Sequence, residues 1–304
     1  MSRVGINKVD YKGWPNCLEL SNGIAELIIT TDVGPRIISY RLCNGKNVFF
    51  EESENSGSIS GNEYKVYGGH RLWHSPQIGE RPNEPDNDSV DYEIKNNTVI
   101  LKQRTEAISR IQKIIEITLS PDSSEVSVMH RLINKGVWSI EVSAWALSML
   151  AQGGIEIIPW GNRQLPYYLP GMAIVYWPFT KPDDCRMKIV GQYITVKQTP
   201  EMSEWFHIGL PNSEGWAVYI NEGTMFVKTF KEDPTKEYTD IISSYRTFTN
   251  ECFLELETAS PLKKISPDES VENEEKWYLE ENIDVPESEV DIKKNIVPLI
   301  KRFV

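Results

Sequence analysis

Histidine and cysteine are scarce in this sequence. The 304 residues include only four of each. The cysteines are widely separated and form no C-x-x-C pair, which excludes a zinc ribbon and a thioredoxin-type redox motif. Four cysteines in a chain of this length do not make a disulfide framework. We therefore expect reduced thiols and a cytoplasmic protein.

Long apolar runs and an excess of positive charge are also missing. No stretch is long and apolar enough to span a membrane, and residues 1–16 lack the apolar core of a signal peptide. The formal net charge is -12 at pH 7. An acidic surface disfavours nucleic acid and anionic membranes as partners. The sequence thus predicts an intracellular protein that binds neither of them.

Three motifs of nucleotide-binding and hydrolytic proteins are absent, namely the P-loop, the Rossmann glycine pattern and the G-x-S-x-G elbow. Instead, many short strand patterns alternate with turns. This arrangement predicts an all-β protein, a β-sandwich or barrel that occupies residues 1–304 as a single domain. Residues 286–304 differ, because their apolar side chains recur at helical spacing and predict a C-terminal α-helix. These side chains are Val290, Ile296, Leu299, Ile300 and Val304.

The densest group of chemically versatile side chains lies in residues 68–74, which read GGHRLWH. His70 and His74 supply acid/base groups, Arg71 a fixed cation and Trp73 a stacking surface, between two long polar loops. Such a group between loops is typical of a binding site, although a hydrogen-bonded core is the alternative. A metal site is disfavoured, because Arg71 stands where zinc-binding H-E-x-x-H segments have glutamate and its charge opposes a dication. We expect neither a metal nor a cofactor.

Two strand patterns add further candidates. In residues 138–150 one face mixes polar and aromatic side chains, including Trp145, as a strand that lines a cleft or a half-exposed strand would. In residues 251–259, Glu255 and Glu257 point the same way. Adjacent carboxylates repel each other, so a cation, solvent or a raised pKa must relieve them. The pair is therefore either a solvated outer face or part of a functional site.

Two isolated residues also have alternative interpretations. Arg36 follows a Gly-Pro turn and is either an exposed charge or an arginine directed into a cleft. His130 shares one face of a strand with Val126, Val128 and Leu132. A histidine on an apolar face is typical of a buried, hydrogen-bonded core position.

Five short segments accompany GGHRLWH in a defined order along the chain. They are DVGPRI at 32–37, LIN at 132–134, FLELETASP at 253–261, ISP at 265–267 and KWYL at 276–279. In this order and spacing the chain resembles the galactose mutarotase-like superfamily, which includes the aldose 1-epimerases, and within it an uncharacterised branch. The resemblance runs from about Gly23 to Leu279. It implies a supersandwich fold, the large antiparallel β-sandwich of these proteins, and a carbohydrate-active protein.

The resemblance also implies roles for individual residues. In the aldose 1-epimerases a histidine at the position of His70 contacts the sugar, and a carboxylate at the position of Glu255 is the general base. The epimerases use a second histidine as the general acid, but the corresponding residues 143–149 read SAWALSM. His74, or Arg71 as an electrostatic substitute, would have to replace it.

Three hypotheses follow. The first is an aldose 1-epimerase-like isomerase that interconverts sugar anomers, with a small sugar or oligosaccharide as its partner. The second is a carbohydrate-binding protein of the same fold without catalysis, and the third is a domain associated with a polysaccharide lyase or hydrolase. The fold alone does not choose among them. The candidate catalytic residues are Glu255, His70 and His74, and the candidate substrate-binding residues are Arg36, Arg71, Trp73, Trp145, Asp240 and Glu257.

Overall fold

The computed structural model describes residues 4–160 and 171–303. In these ranges the chain forms two antiparallel β-sheets and a short helical segment near the C-terminus. Apolar side chains of both sheets share one large core, with Leu72 and Leu256 from one sheet and Val128 and Trp277 from the other. The prediction of an all-β sandwich with a C-terminal helix is confirmed. Within the described ranges, no helix has the length and apolar character of a membrane span.

The first sheet has 11 strands in the order β1-β2-β3-β4-β5-β10-β19-β18-β15-β12, with β20 paired to β10. Its strands are β1 (Gly5–Tyr11), β2 (Trp14–Ser21), β3 (Ala25–Thr30), β4 (Arg36–Leu42), β5 (His70–Ser75), β10 (Ile140–Leu150), β12 (Val175–Tyr176), β15 (Phe206–Leu210), β18 (Tyr245–Thr249), β19 (Leu254–Ala259) and β20 (Lys263–Ile265).

The second sheet has 10 strands in the order β13-β14-β11-β16-β17-β21-β9-β8-β7-β6. Its strands are β6 (Asp91–Lys95), β7 (Thr98–Lys102), β8 (Ile111–Leu119), β9 (Val126–Asn134), β11 (Ile155–Pro159), β13 (Met187–Val190), β14 (Tyr193–Lys197), β16 (Trp216–Asn221), β17 (Thr224–Phe230) and β21 (Ser270–Glu280).

The C-terminal helical segment begins after Ser288, whose side chain accepts a hydrogen bond from the backbone N–H of Asp291. This cap satisfies one of the N–H groups that a helix start leaves without a partner. The segment consists of α1 (Glu289–Asp291), a π-helical turn (Ile292–Ile296) and α2 (Val297–Ile300). It lies within the predicted residues 286–304, of which Val304 falls outside the described residues.

The helical segment covers the outer face of the second sheet. Ile292, Ile296 and Ile300 are buried in a second apolar cluster that includes Val218 of β16. Strand β16 is therefore buried on both faces, since Ala217 and Tyr219 point into the main core instead. The i, i+4 spacing of the three isoleucines makes them the inward stripe. Val290, which the sequence pattern included in this stripe, stands two residues before it and is 71% exposed.

Two glycines fix the entry to β5. Gly68 and Gly69 have positive φ angles of 93° and 70°. A Cβ on Gly68 would lie 2.1 Å from the carbonyl oxygen of Phe50, and a Cβ on Gly69 would lie 2.3 Å from that of Ile37. The backbone here both turns and approaches neighbouring chain segments, for which only glycine is suited. The start of β5 is thereby held in place against β4.

Candidate functional site

A cleft of about 400 Å³ opens on the face of the first sheet that is turned away from the core. Its floor is formed by neighbouring strands β5, β10, β19, β18 and β15. The strand register aligns their side chains in rows across this floor. In one row, Arg71 lies opposite Leu147, which lies opposite Glu257. The next row contains Met149, Glu255, Phe248 and His207.

Strand β5 divides its side chains between core and cleft, because successive residues of a strand point to opposite faces. Leu72 packs in the core between the sheets. His70 and His74, two positions to either side, share its face, and both are 0% exposed. Arg71 and Trp73 take the opposite face and line the cleft. The structure therefore brings the arginine and the tryptophan of this segment to the cleft, but neither histidine.

His70 belongs to a hydrogen-bonded network in the core. Its Nδ1 lies 2.8 Å from the hydroxyl of Ser148, and its Nε2 lies 2.7 Å from Nε2 of His130. His130 Nδ1 lies 2.8 Å from the carbonyl oxygen of Asn273 and donates to it. His130 Nε2 therefore accepts a hydrogen bond from the N–H of His70 Nε2, and in this arrangement both rings are neutral. Burial lowers the pKa of both histidines and favours the same state.

His74 and Arg36 are also buried, and neither lines the cleft. His74 Nε2 lies 3.2 Å from the carbonyl oxygen of Pro82, and burial lowers the pKa of His74 to about 3. Arg36 Nη2 lies 2.5 Å from a carboxylate oxygen of Asp86, and Nη1 donates to the carbonyl oxygen of Gly68. Both residues join the loop at 79–91 to the sheet, so their contacts are structural ones.

Glu255 and Glu257 lie side by side in the cleft and are 5% and 1% exposed. The solvated-face alternative for this strand is therefore wrong. Arg71 Nη2 lies 3.4 Å from Glu255 Oε1. Glu257 accepts a hydrogen bond of 2.7 Å from Trp145 Nε1, and its other oxygen lies 3.5 Å from His207 Nε2. The two carboxyl groups thus face different partners.

The different partners give the two carboxyl groups opposite pKa shifts. Burial raises the pKa of Glu255 to about 8; the Arg71 cation opposes this shift and the charge of Glu257 adds to it. Burial alone would also raise the pKa of Glu257, but His207, Arg246 and the Trp145 N–H together hold it below its ordinary value. At neutral pH, Glu255 is mainly protonated and Glu257 is ionised. A pair of carboxyl groups in opposite states is a common arrangement for acid/base catalysis.

Aromatic side chains hold Arg71 in place. Its guanidinium carbon lies 4.0 Å from the ring centroid of Trp73, and Nη1 donates to the hydroxyl of Tyr64. Tyr64 comes from the polar loop before β5. Trp73 in turn meets Trp145 edge to face, with centroids 5.5 Å apart. These contacts leave the Arg71 cation fixed beside Glu255.

A second arginine lies next to the cleft. Arg246 of β18 is 0% exposed, and Asp240 pairs with it at 2.7 Å between Oδ2 and Nη2. Its guanidinium carbon lies 5.3 Å from the ring centroid of Trp145. Asp240, one of the candidate substrate-binding residues, thus pairs with this arginine, which lies opposite Glu257 in the strand register.

Sequence reasoning missed the most informative histidine. His207 of β15 lines the cleft, contacts Glu257 and stacks on Trp177 with ring centroids 3.8 Å apart. The alternation of Phe206, Ile208 and Leu210, all buried, contained the signal, since it places His207 on the other face. The remaining aromatic residues of the cleft that the sequence did not single out are Tyr64, Trp177, Phe179, Trp205, Phe248 and Phe253.

One buried group has the composition of a metal site. His70, His130 and Glu275 each place a ligand atom within 4.8 Å of the others. Glu275, however, accepts a hydrogen bond of 2.7 Å from Trp277 Nε1 and pairs with Lys228 Nζ at 3.0 Å. A buried cation beside the carboxylate opposes the binding of a dication. We interpret the group as a hydrogen-bonded part of the core.

Comparison with solved structures identifies the architecture. A galactose mutarotase-like protein from Lactobacillus casei ATCC 334 matches with a TM-score of 0.56 at 11% identity, over 87% of this chain and 100% of that chain. Another from Clostridium acetobutylicum matches with a TM-score of 0.55 at 13% identity, over 92% and 100%. The chain has the galactose mutarotase-like fold. The resemblance in the sequence is thereby confirmed for the fold, which is as far as similarity at this identity reaches.

A protein from Synechocystis sp. PCC 6803 also matches in structure, with a TM-score of 0.60 at 11% identity over 91% of this chain and 100% of that chain. Neither a family model nor a curated protein matches the sequence. The function must therefore be argued from the cleft itself.

Proposed function

We propose that the protein interconverts the anomers of a sugar, as an aldose 1-epimerase-like isomerase, in the cleft of the first sheet. One observation carries the proposal. Glu255 and Glu257 lie side by side in a buried cleft, and their neighbours hold them in opposite protonation states near neutral pH. Ring opening of a sugar needs one proton acceptor and one proton donor at adjacent oxygens, and this pair supplies both.

The chemistry proceeds through the open-chain aldehyde. The ionised Glu257 takes the proton of the anomeric hydroxyl, the bond between the anomeric carbon and the ring oxygen breaks, and the protonated Glu255 gives its proton to the ring oxygen. Rotation about the next carbon–carbon bond presents the other face of the aldehyde. The reverse transfers then close the ring and return each carboxyl group to its first state. Each transfer contributes about 10²–10⁴-fold to the rate.

The other cleft residues position these groups. Trp145 and His207 hold the carboxylate of Glu257 through its two oxygens, and Arg71 lies beside Glu255 and is available to a sugar hydroxyl. Trp73 and Trp145 provide aromatic surface for the sugar ring. This assignment makes Glu255 the acid, whereas the resemblance implies a base at this position. It also needs no second histidine in residues 143–149.

A binding protein without catalysis is the second candidate. It is favoured by the absence of histidine from residues 143–149, where the epimerases have their general acid, and by the aromatic content of the cleft. The third hypothesis, a domain of a polysaccharide lyase or hydrolase, is supported by the fold alone.

The test is the rate of anomer interconversion, measured by NMR exchange on a panel of monosaccharides. Wild type is compared with Glu255→Gln and Glu257→Gln, and with Glu274→Gln, which changes an exposed carboxylate of β21, as the matched control. Acceleration that the control retains and the two cleft variants lose supports the isomerase. Sugar binding without acceleration supports the second candidate. If the protein shows neither acceleration nor binding, a carbohydrate function for this cleft is overturned.

A further inference from the structure

Near His207 the lining of the cleft is rich in aromatic rings. We call this part of the lining the aromatic wall and define it by the cleft-lining residues Trp177, Phe179, Trp205, Phe248 and Phe253. Trp205 is 58% exposed and Phe179 is 44% exposed, although both are large apolar side chains. Exposed apolar surface that continues a cleft is typical of a ligand-binding surface.

The rings of the wall are held in a continuous series. Trp205 meets Phe179 and Phe248 edge to face, with centroids 5.8 Å apart in both pairs. Phe248 meets His207 in the same way at 5.7 Å. An edge-to-face contact occupies the face of one ring only, so faces of the wall remain available to a ligand. The series therefore leads from the side chains that contact Glu257 to the outside of the cleft.

Charge indicates what this ligand is. The wall itself has no ionisable side chain. Arg246 is paired with Asp240, and Arg71 lies at the other side of the cleft floor, on β5 beside Glu255. A phosphate or carboxylate group on a ring that stacks on the wall would therefore gain no cation there, and it would approach the ionised Glu257, which His207 contacts. An uncharged ring avoids this repulsion.

An uncharged sugar ring fits such a wall. Its faces carry C–H bonds with a small positive partial charge, and an aromatic face carries the negative part of the ring quadrupole. A ring stacked on Trp205 lies outside the part of the cleft that holds Glu255 and Glu257. It must therefore be a second ring, joined to the one whose anomeric centre reacts.

We propose that the aromatic wall is a second subsite, which binds the neighbouring ring of an uncharged reducing oligosaccharide while the reducing ring lies over Glu255 and Glu257. The inference rests on the proposed function and extends it, because it names the substrate class. It makes a reducing disaccharide, rather than a monosaccharide or a sugar phosphate, the smallest ligand that fills the cleft.

The test compares the affinities of the intact protein for a disaccharide and a monosaccharide by isothermal titration calorimetry. The probes are cellobiose, maltose and lactose beside glucose and galactose, with glucose 6-phosphate as the charged alternative. In wild type we expect at least one disaccharide to bind about 3- to 10-fold more tightly than glucose, which is the reducing ring of all three disaccharides. This is the range of one favourable aromatic contact. Trp205→Ala should bring this ratio close to one.

The matched control is Trp138→Ala, which removes a tryptophan that is 79% exposed and lies outside the cleft. This variant should keep the wild-type ratio, and Trp205→Phe should keep part of it. A ratio near one in wild type, a ratio that Trp205→Ala leaves intact, or tighter binding of glucose 6-phosphate overturns the second subsite. If monosaccharide anomers still interconvert in that case, the proposed function survives. If no sugar binds at all, both proposals fail.

Discussion

At the scale of single residues, the chemistry proposed for the cleft depends on the contrast between Glu255 and Glu257. Both are buried on one face of β19, so their difference comes from their neighbours. Glu257 has an N–H donor at 2.7 Å and a histidine at 3.5 Å, whereas Glu255 has one arginine at 3.4 Å. Glu257 is therefore the better stabilised anion, and in the proposed function the two carboxyl groups divide the acid and base roles.

This contrast predicts a bell-shaped dependence of the interconversion rate on pH. Glu255 must be protonated to donate, so the rate should fall as pH rises through about 8. Glu257 must be ionised to accept, so the acid limb should lie below the ordinary carboxyl value of 4.5. Initial rates from NMR exchange across this range provide the measurement. An alkaline limb that persists in Glu255→Gln would show that another group titrates there.

The raised pKa of Glu255 also predicts how folding stability changes with pH. Between the ordinary value of 4.5 and about 8, the unfolded chain has lost this proton while the folded protein retains it. The contribution of Glu255 to stability is therefore present below 4.5 and is lost as pH rises to about 8. Glu255→Gln abolishes this decrease in stability with rising pH, because glutamine has no proton to lose.

Urea unfolding at both ends of this interval measures the effect. The free energy of unfolding of Glu255→Gln, relative to wild type, should increase from the acid end to the alkaline end. A difference that does not depend on pH would contradict a raised pKa. Glu274→Gln serves again as the exposed control and should show no such trend.

His70 provides a test of the placement of β5. Replacement by alanine leaves His130 Nε2 and the Ser148 hydroxyl without their partner in the core. We expect a loss of about 1–3 kcal/mol in the free energy of unfolding, the usual cost of a buried polar group without a partner. The interconversion rate per folded molecule should stay close to wild type, because His70 does not line the cleft. A stable variant with a rate reduced 100-fold or more would favour the sugar contact that the resemblance implies.

At the scale of secondary-structure elements, the C-terminal helical segment is stabilised by its fit to the second sheet. Ile296 is 0% exposed and Val290 is 71% exposed. Ile296→Ala should therefore lower the free energy of unfolding by about 2–5 kcal/mol, since it leaves a cavity. Val290→Ala is the matched control in the same segment and should change it by less than about 0.5 kcal/mol. Urea unfolding of both variants gives the comparison, and equal effects would show that the segment does not pack on the sheet.

The elements also show how far the sequence predicts the site. Alternation correctly placed Glu255 and Glu257 on one face of β19 and indicated the mixed face of β10 that carries Trp145. Alternation did not reveal which face of β5 points into the core. One face combines histidines with a leucine and the other combines an arginine with a tryptophan, so both faces mix polar and apolar side chains. The inward position of His70 depends on His130, which lies 60 positions away in the sequence and accepts a hydrogen bond from the N–H of His70 Nε2.

At the scale of the whole molecule, the order and spacing of short segments predicted the fold, although each segment alone is unspecific. The success of the fold prediction has a physical reason. The residues of the large core come from almost the entire described chain, so the fold depends on many segments in order and not on one motif. The cleft is different. It assembles side chains from five strands of the first sheet, and His207 joins it only because β15 pairs with β18.

The shared core also supports the prediction that residues 1–304 form a single domain. Unfolding should then occur in one cooperative transition, in which the near-UV and far-UV circular dichroism signals change together. Two separate transitions would contradict the single domain. The cytoplasmic location stays a prediction from the scattered cysteines, and fractionation of the cells that produce the protein would check it.

The alternation of β5 has a consequence for how the protein can change in evolution. The inward side chains of this strand are constrained by the opposite sheet, whereas Arg71 and Trp73 line the cleft. New ligand preferences can therefore arise by replacements at these outward positions without changing the side chains that pack in the core between the sheets. Insertion or deletion of one residue within the strand would instead exchange the two faces and disrupt both the core packing and the lining of the cleft. We expect natural variation in this strand to alternate in the same way, with conserved inward positions beside diverse outward ones.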